Sequence, residues 1–117
     1  MFQFDPALKV YVHREAVDFR KSINGLAALV EQALKLDPFG RALYVFRNRR
    51  ADRVKILVWE RNGFWLLMKR LEADRFVWPR SEAAVIELGV DELHWLLAGV
   101  DLQALCGHRM LAYRRAV

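Results

Sequence analysis

Leu8, Val10 and Val12 alternate with Lys9, Tyr11 and His13, the two-residue period of a strand with one buried face. This predicts a first strand over residues 8–14 with His13 on the solvent side. The period then changes. Within 18–36, Ile23, Leu26, Ala27, Val30 and Leu34 recur at helical spacing and form one apolar stripe. Asp18 and Ser22 are the candidate caps. Asp37-Pro38-Phe39-Gly40 stops the helix, because proline cannot continue it and glycine permits the reversal. Gly25 costs about 1 kcal/mol relative to alanine inside a helix. Either the backbone approaches something closely there or the helix begins after it. Residues 41–79 read as three or four consecutive strands joined by short turns. Residues 76–78 read as a short strand ended by Pro79, and 83–88 as another. Residues 90–98 form a short helix with Leu93, Leu96 and Leu97 inward, Asp91 and Glu92 suiting its dipole, and Gly99 ending it. The tail from Leu102 shows no clear period. The pattern gives an α+β fold: a mainly antiparallel sheet of about five strands, the long helix packed on one face and the short helix near the end.

The register of one hairpin follows from its turn. Asn62-Gly63 lies between two apolar runs, the signal for a two-residue type I′ turn. With those two residues as the loop, Val54 faces Leu71, Ile56 faces Lys69 and Val58 faces Leu67 on one side of the sheet. On the other side Arg53 faces Glu72, Lys55 faces Arg70, Leu57 faces Met68 and Trp59 faces Leu66. Lys55 opposite Arg70 places two cations with Cβ atoms roughly 5 Å apart, which is destabilising unless an anion lies between them. If 41–47 folds back on 53–59, Arg47 joins Arg53, Lys55 and Arg70 on that face, with Arg49 and Arg50 at the turn. The cluster reads either as a solvated strand end, partly neutralised by Asp52 and Glu72, or as a surface for phosphates or an acidic partner. Arg20 and Lys21, ahead of Gly25, pose the same choice between a solvated first turn and a phosphate contact at a helix N-terminus.

Composition sharpens the second possibility. The chain has 117 residues, 55% of them hydrophobic, which excludes disorder and suits a single domain with its own core. Its net charge of +5 is unevenly spread. Residues 47–80 hold ten Lys/Arg against four acids, and the remainder nine against ten. All the excess charge is in the hairpin region, a pattern that favours a localised acidic partner, nucleic acid first. No run of about 18 apolar residues occurs, and the N-terminus lacks the basic and apolar regions of a signal peptide. One cysteine, Cys106, excludes an intramolecular disulfide and fits a reducing cytoplasm.

No catalytic set stands out. The three histidines are scattered, and Cys106-Gly107-His108 lacks the paired motifs of a zinc site. There is no phosphate-cradling glycine loop. Asp18, Asp52, Glu60 and Asp101 have no spacing that favours a two-metal carboxylate site. No cofactor or metal is expected. Trp59, Phe64, Trp65, Phe76 and Trp78 are candidates for base stacking, but strands apolar on both faces make core the stronger reading.

Asp18-Phe19-Arg20-Lys21, the run 25–30 (GLAALV), Asp37-Pro38-Phe39, Tyr44-Val45-Phe46-Arg47, Arg49-Arg50, Asp52-Arg53, Lys55-Ile56-Leu57, Trp59, Gly63, Lys69-Arg70-Leu71, Arg75-Phe76 and Trp78-Pro79 occur in one order and spacing. In these residues, from about residue 9 to about residue 100, the chain closely resembles the small TnpB-type accessory protein of the insertion sequence 66 family of bacterial transposable elements. The resemblance implies a role in transposition beside a larger transposase that carries the chemistry. It supplies no catalytic residues. The basic positions it matches are Arg20, Lys21, Arg47, Arg49, Arg50, Arg53, Lys55, Lys69 and Arg70. Asn48 and Ala51 stand where the family's turn usually has glycines, and the tail from about 103 to 117 matches nothing in it. The resulting expectation is a cytoplasmic, non-catalytic accessory. It binds DNA at element ends with low specificity through a basic sheet face, with the transposase as a second partner and a homodimer as another contact. The alternative is a protein adaptor with no DNA binding of its own, which docks its basic face on an acidic surface of the transposase or dimerises through exposed aromatics such as Trp95.

Overall fold

A computed structural model describes residues 3–106 and the pair 114–115. Six strands form one sheet in the order β4-β3-β2-β1-β5-β6. They are β1 (Lys9–His13), β2 (Ala42–Arg47), β3 (Arg53–Glu60), β4 (Gly63–Arg70), β5 (Val85–Leu88) and the two-residue β6 (Arg114–Arg115). Only β1 and β2 run parallel, joined by the helix α1 (Ile23–Gln32); the other four pairings are antiparallel. The α+β architecture read from the periodicity is therefore the observed one. Two more helices, α2 (Val90–Leu97) and α3 (Leu102–Cys106), follow β5.

The sheet is covered on both faces. Val10, Val12, Leu43, Val45, Val54 and Ile56 pack with Leu93, Leu96 and Leu102 of α2 and α3. On the other face Tyr44, Phe46 and Leu57 pack with Leu26 and Val30 of α1. This is why β2 is a continuous apolar run with Ala42 through Phe46 all buried: a central strand flanked by helices has no solvent side. Tyr11 and His13 lie under the same cover. His13 is half-buried 5.8 Å from the Phe46 ring, not on a solvent face, and burial lowers its pKa. Alternation in β1 identified the two faces but not that a helix would close the second.

Several boundaries differ from the periodic reading. The long helix spans ten residues, not 18–36. Its end is set by Lys35, which takes a left-handed φ of 58°, and by a bond from Leu36 N to Val30 O, a glycine-type termination carried by a lysine. Ser22 is the N-cap residue but makes no side-chain cap bond. Gly25 lies inside the helix because of a close approach: a Cβ there would sit 3.2 Å from Lys21 Cβ. Residues 76–78 join no strand ladder among the described residues. Phe76 N instead donates to Ala51 O, Trp78 Nε1 donates to His13 O, and Phe76 is buried. The tail read as aperiodic contains α3 and β6.

The β3–β4 hairpin turns one step earlier than the Asn-Gly signal implies. Glu60 pairs with Gly63, so Arg61 and Asn62 form the loop, and Arg61 takes a φ of 55°. Gly63 opens β4. Holding a non-glycine residue left-handed costs roughly 1–2 kcal/mol. In return Trp59 faces Phe64 at 5.0 Å, both rings meet Phe39, Ile56 faces Leu67 instead of Lys69, and Trp65 Nε1 reaches Glu60 Oε1. Each aromatic pair contributes about 0.5–1.5 kcal/mol beyond its buried area. Three such contacts outweigh one strained turn residue.

Candidate nucleic-acid interface

The turn between β2 and β3 is built by Asn48. Its Oδ1 accepts from the backbone N–H groups of Asp52 and Arg53, and its Nδ2 donates to Asp52 Oδ1 at 2.6 Å. Ala51 takes a φ of 57°. The Asn48 bond holds the Asp52 carboxyl below its ordinary pKa, with the fields of Arg50 and Arg53 adding to the effect. Because Asn48 takes this carboxylate, Arg49, Arg50 and Arg53 project from the turn and form no ion pair among the described residues. All three are exposed.

The new register replaces the expected Lys55–Arg70 pair by Arg53 opposite Arg70; Lys55 faces Met68. The bond from Leu71 N to Asp52 O makes 52/71 a hydrogen-bonded pair. Arg53/Arg70 is then a non-hydrogen-bonded pair, the type with the closer side chains. A like-charge pair therefore remains, with a different member. Glu72 answers Arg70 at 3.0 Å, while among the described residues Arg53 has no such carboxylate. Arg47 does not join this face. It pairs with Val54, so its side chain lies on the α2 side, where the guanidinium sits 5.9 Å from the Trp78 ring and donates to Arg14 O. The strand turns back with Phe46, not Arg47, opposite Lys55.

Lys55 and Lys69 are engaged with backbone. Lys55 Nζ donates to Phe19 O and Lys21 O, both at 2.8 Å, and lies 4.8 Å from the Phe19 ring. It fastens the segment leading into α1 onto the sheet. Lys69 Nζ donates to Leu97 O at 2.7 Å, a cation at the C-terminal end of α2 where the helix dipole favours it. Lys55→Ala is expected to cost about 2 kcal/mol, since it leaves two carbonyls without their charged donor. Urea unfolding measures the loss, and faster amide exchange in residues 19–21 would locate it.

Arg20 is tied to Asp18, Nη2 to Oδ2 at 2.7 Å, with further bonds from Nε and the Arg20 backbone N–H. These bonds hold the Asp18 carboxyl down at about 2 against an ordinary 3.8. The folded-state pKa is depressed, so the pairing favours the native state above pH 4 or so and loses that effect as pH falls through about 2. Carbon-detected NMR titration should find Asp18 titrating near 2, and Arg20→Ala should return it towards 3.8. Lys21 is exposed and adjoins Lys55 through its own carbonyl.

The structure thus gathers Arg49, Arg50, Arg53 and Arg70 at the β2–β3 turn and the adjoining end of β4, with Lys21 beside them through Lys55. It removes Arg47 to the other face and gives Lys55, Lys69 and Arg20 internal partners. Only the cross-strand register and the β2–β3 pairing separate these groups, and neither is encoded locally. The acids considered for metal chemistry have structural partners: Asp18 with Arg20, Asp52 with Asn48, Glu60 with Trp65, and Asp101 with the N–H groups of Gln103 and Ala104. Among the described residues no three His, Cys, Asp or Glu side chains lie close enough to hold a metal ion. The cysteine–histidine pair at 106–108 and the side chains of Arg114 and Arg115 lie outside what is described.

Fold and surface define a small α+β protein whose distinctive side chains are cations at one corner of a mixed sheet. The family model for IS66 Orf2-like proteins, TnpB_IS66, matches residues 8–107, and the chain belongs to that family. Membership ties it to IS66 transposition. Two similar proteins from Sinorhizobium fredii (strain NBRC 101917 / NGR234) carry only placeholder names. Uncharacterized protein y4jC is 37% identical over 94 residues, 80% of each chain. Uncharacterized protein y4hO is 35% identical over 94 residues, 80% of this chain and 82% of its own. No solved structure matches. No described helix is long and apolar enough to cross a membrane.

Proposed function

We propose that this protein is a non-catalytic accessory of IS66 transposition that holds duplex DNA by its phosphates, at element ends and beside the larger transposase of the same element. The observation that supports this reading is the corner itself. Arg53 faces Arg70 across the strands, and Arg49 and Arg50 project from the adjoining turn without ion pairs among the described residues. Glu72 answers only Arg70, so Arg49, Arg50 and Arg53 are left open to an external anion that would also relieve the like-charge pair. Phosphate contacts fix position and carry little sequence information. Binding is therefore weakly specific and steeply salt-dependent.

Fluorescence anisotropy tests it, with a labelled element end and a shuffled duplex titrated from about 50 to about 300 mM salt. Comparable binding to both, falling steeply with salt, is the expected result. Marked preference for the element end would add base or shape readout to the phosphate contacts. Absence of binding at the lowest salt would overturn the reading and direct the corner to an acidic surface on the transposase.

A further inference from the structure

The two edges of the sheet are finished differently. Beyond β5 the edge is met by β6, whose Arg114 and Arg115 pair with Glu87 and Ile86. The β4 edge has no strand beyond it among the described residues. It is long, eight residues, and Gly63 through Met68 carry no charge. A long, uncharged, apolar edge templates pairing with another chain, and folded proteins ordinarily blunt it with charge, proline or a bulge. Here the cations come only at positions 69 and 70, and Lys69 is drawn inward to Leu97 O.

The ladder fixes which groups face outward. Gly63, Trp65, Leu67 and Lys69 face even-numbered β3 residues, and Leu71 N donates to Asp52 O. Odd positions of β4 therefore bond inward, and the N–H and C=O groups of Phe64, Leu66, Met68 and Arg70 point away from the sheet. Beside this edge Trp65 is 57% exposed and Met68 59%. A groove of about 750 Å³ lined by Leu67, Met68, Lys69, His94 and Trp95 opens along it on the α2 side.

We infer that a second copy of this chain covers the edge, by antiparallel pairing of β4 with β4 about a twofold axis at Leu67. The strand is complementary to itself in this direction. Its aromatic residues lie at the start and its cations at the end, so antiparallel self-pairing opposes unlike ends, whereas parallel pairing would stack Lys69 on Lys69 and Arg70 on Arg70. With Leu67 on the axis, the outward groups of Leu66 meet those of Met68 from the partner copy and Phe64 meets Arg70. Lys69 comes opposite Trp65, and Arg70 opposite Phe64, the second pair suited to cation–π contact. The sheet becomes continuous through both copies. The axis stands perpendicular to it, so both α1 faces point the same way. The Arg70 corners then lie about 20 Å apart along the strands, by the rise of an extended chain. The inference goes beyond the DNA reading and does not depend on it.

Sedimentation equilibrium of the full chain, from about 1 to about 100 µM, provides the test. The expected result is a species of twice 13.7 kDa in the unmodified protein. Met68→Lys and Met68→Pro should each weaken its dissociation constant at least about tenfold with an unchanged circular dichroism spectrum. Met68 is exposed, and its N–H, which proline removes, is not used by the β3 ladder. Amide exchange in the dimer should be slow at Phe64, Leu66, Met68 and Arg70. A protein that stays monomeric over the whole range overturns the inference. So does a dimer that both variants leave at unchanged affinity, with those four amides exchanging freely.

Discussion

If the proposed DNA reading holds, replacing Arg49, Arg50 and Arg53 together by alanine is expected to lower affinity for duplex DNA about 500-fold at about 0.1 M salt and to leave the protein folded. The magnitude follows from counterion release. Each phosphate contact contributes about 0.9 to the slope of log affinity against log salt, so three contribute about 2.7. Extrapolated to about 1 M, where release contributes nothing, a slope difference of 2.7 amounts to about 500-fold one decade lower in salt. The three side chains are exposed and make no ion pairs among the described residues, so the fold loses little. Removing Arg53 also relieves its repulsion with Arg70. Anisotropy across the salt series reads both quantities. A slope that stays at the unmodified value would take the turn out of the contact and leave the DNA reading without its central residues. The Lys55→Ala variant is the useful contrast, because its ammonium is committed to two carbonyls and its loss registers mainly in stability.

Phe46→Ala destabilises the protein by about 3–5 kcal/mol. Phe46 is fully buried at the centre of the α1-side core, in one cluster with Leu26, Val30, Tyr44 and Leu57. It also faces Lys55 across the β2–β3 ladder and lies 5.8 Å from the His13 ring. Truncation leaves a cavity that the sheet on one side and the helix on the other close only partly, since both are held by their own hydrogen bonds. A protein of this size has about 5–15 kcal/mol in all, so the change removes about a fifth of it or more. With an m-value of about 2 kcal/mol/M, the urea midpoint falls by roughly 2 M. A loss under about 1 kcal/mol would mean that α1 does not pack on this face as described.

These two expectations draw on different kinds of information. The sequence by itself determined the elements where one period ran long enough to be unambiguous: β1, the apolar stripe of α1, the run of three strands from 42 to 70, β5, and α2 with its inward Leu93 and Leu96. It also determined the charge asymmetry, which places the excess of cations in the hairpin region. The family resemblance rested on the same residues and agrees with the family model, which reaches residue 107 and so takes in the start of the tail that the resemblance left out. Burial of one face imposes a period on its own residues, so such features are local and can be read locally.

What only the tertiary structure decided is which distant residues share a face. The Asn-Gly signal chose the wrong two residues for the loop because a local turn cost of roughly 1–2 kcal/mol competes with cross-strand contacts that sum to more. The Trp59–Phe64–Phe39 cluster and the Ile56–Leu67 pair won, and Arg53 replaced Lys55 opposite Arg70. Arg47 left the basic face for the same kind of reason: a ladder placed Val54, not Lys55, opposite it. Lys55 and Lys69 looked in the sequence like surface cations. Two carbonyls before α1 and one at the end of α2 claimed them, and nothing within a few residues of either lysine announces those partners. Composition states how much charge the chain carries. The long-range pairing of backbone donors and acceptors decides which of it remains free to meet another molecule.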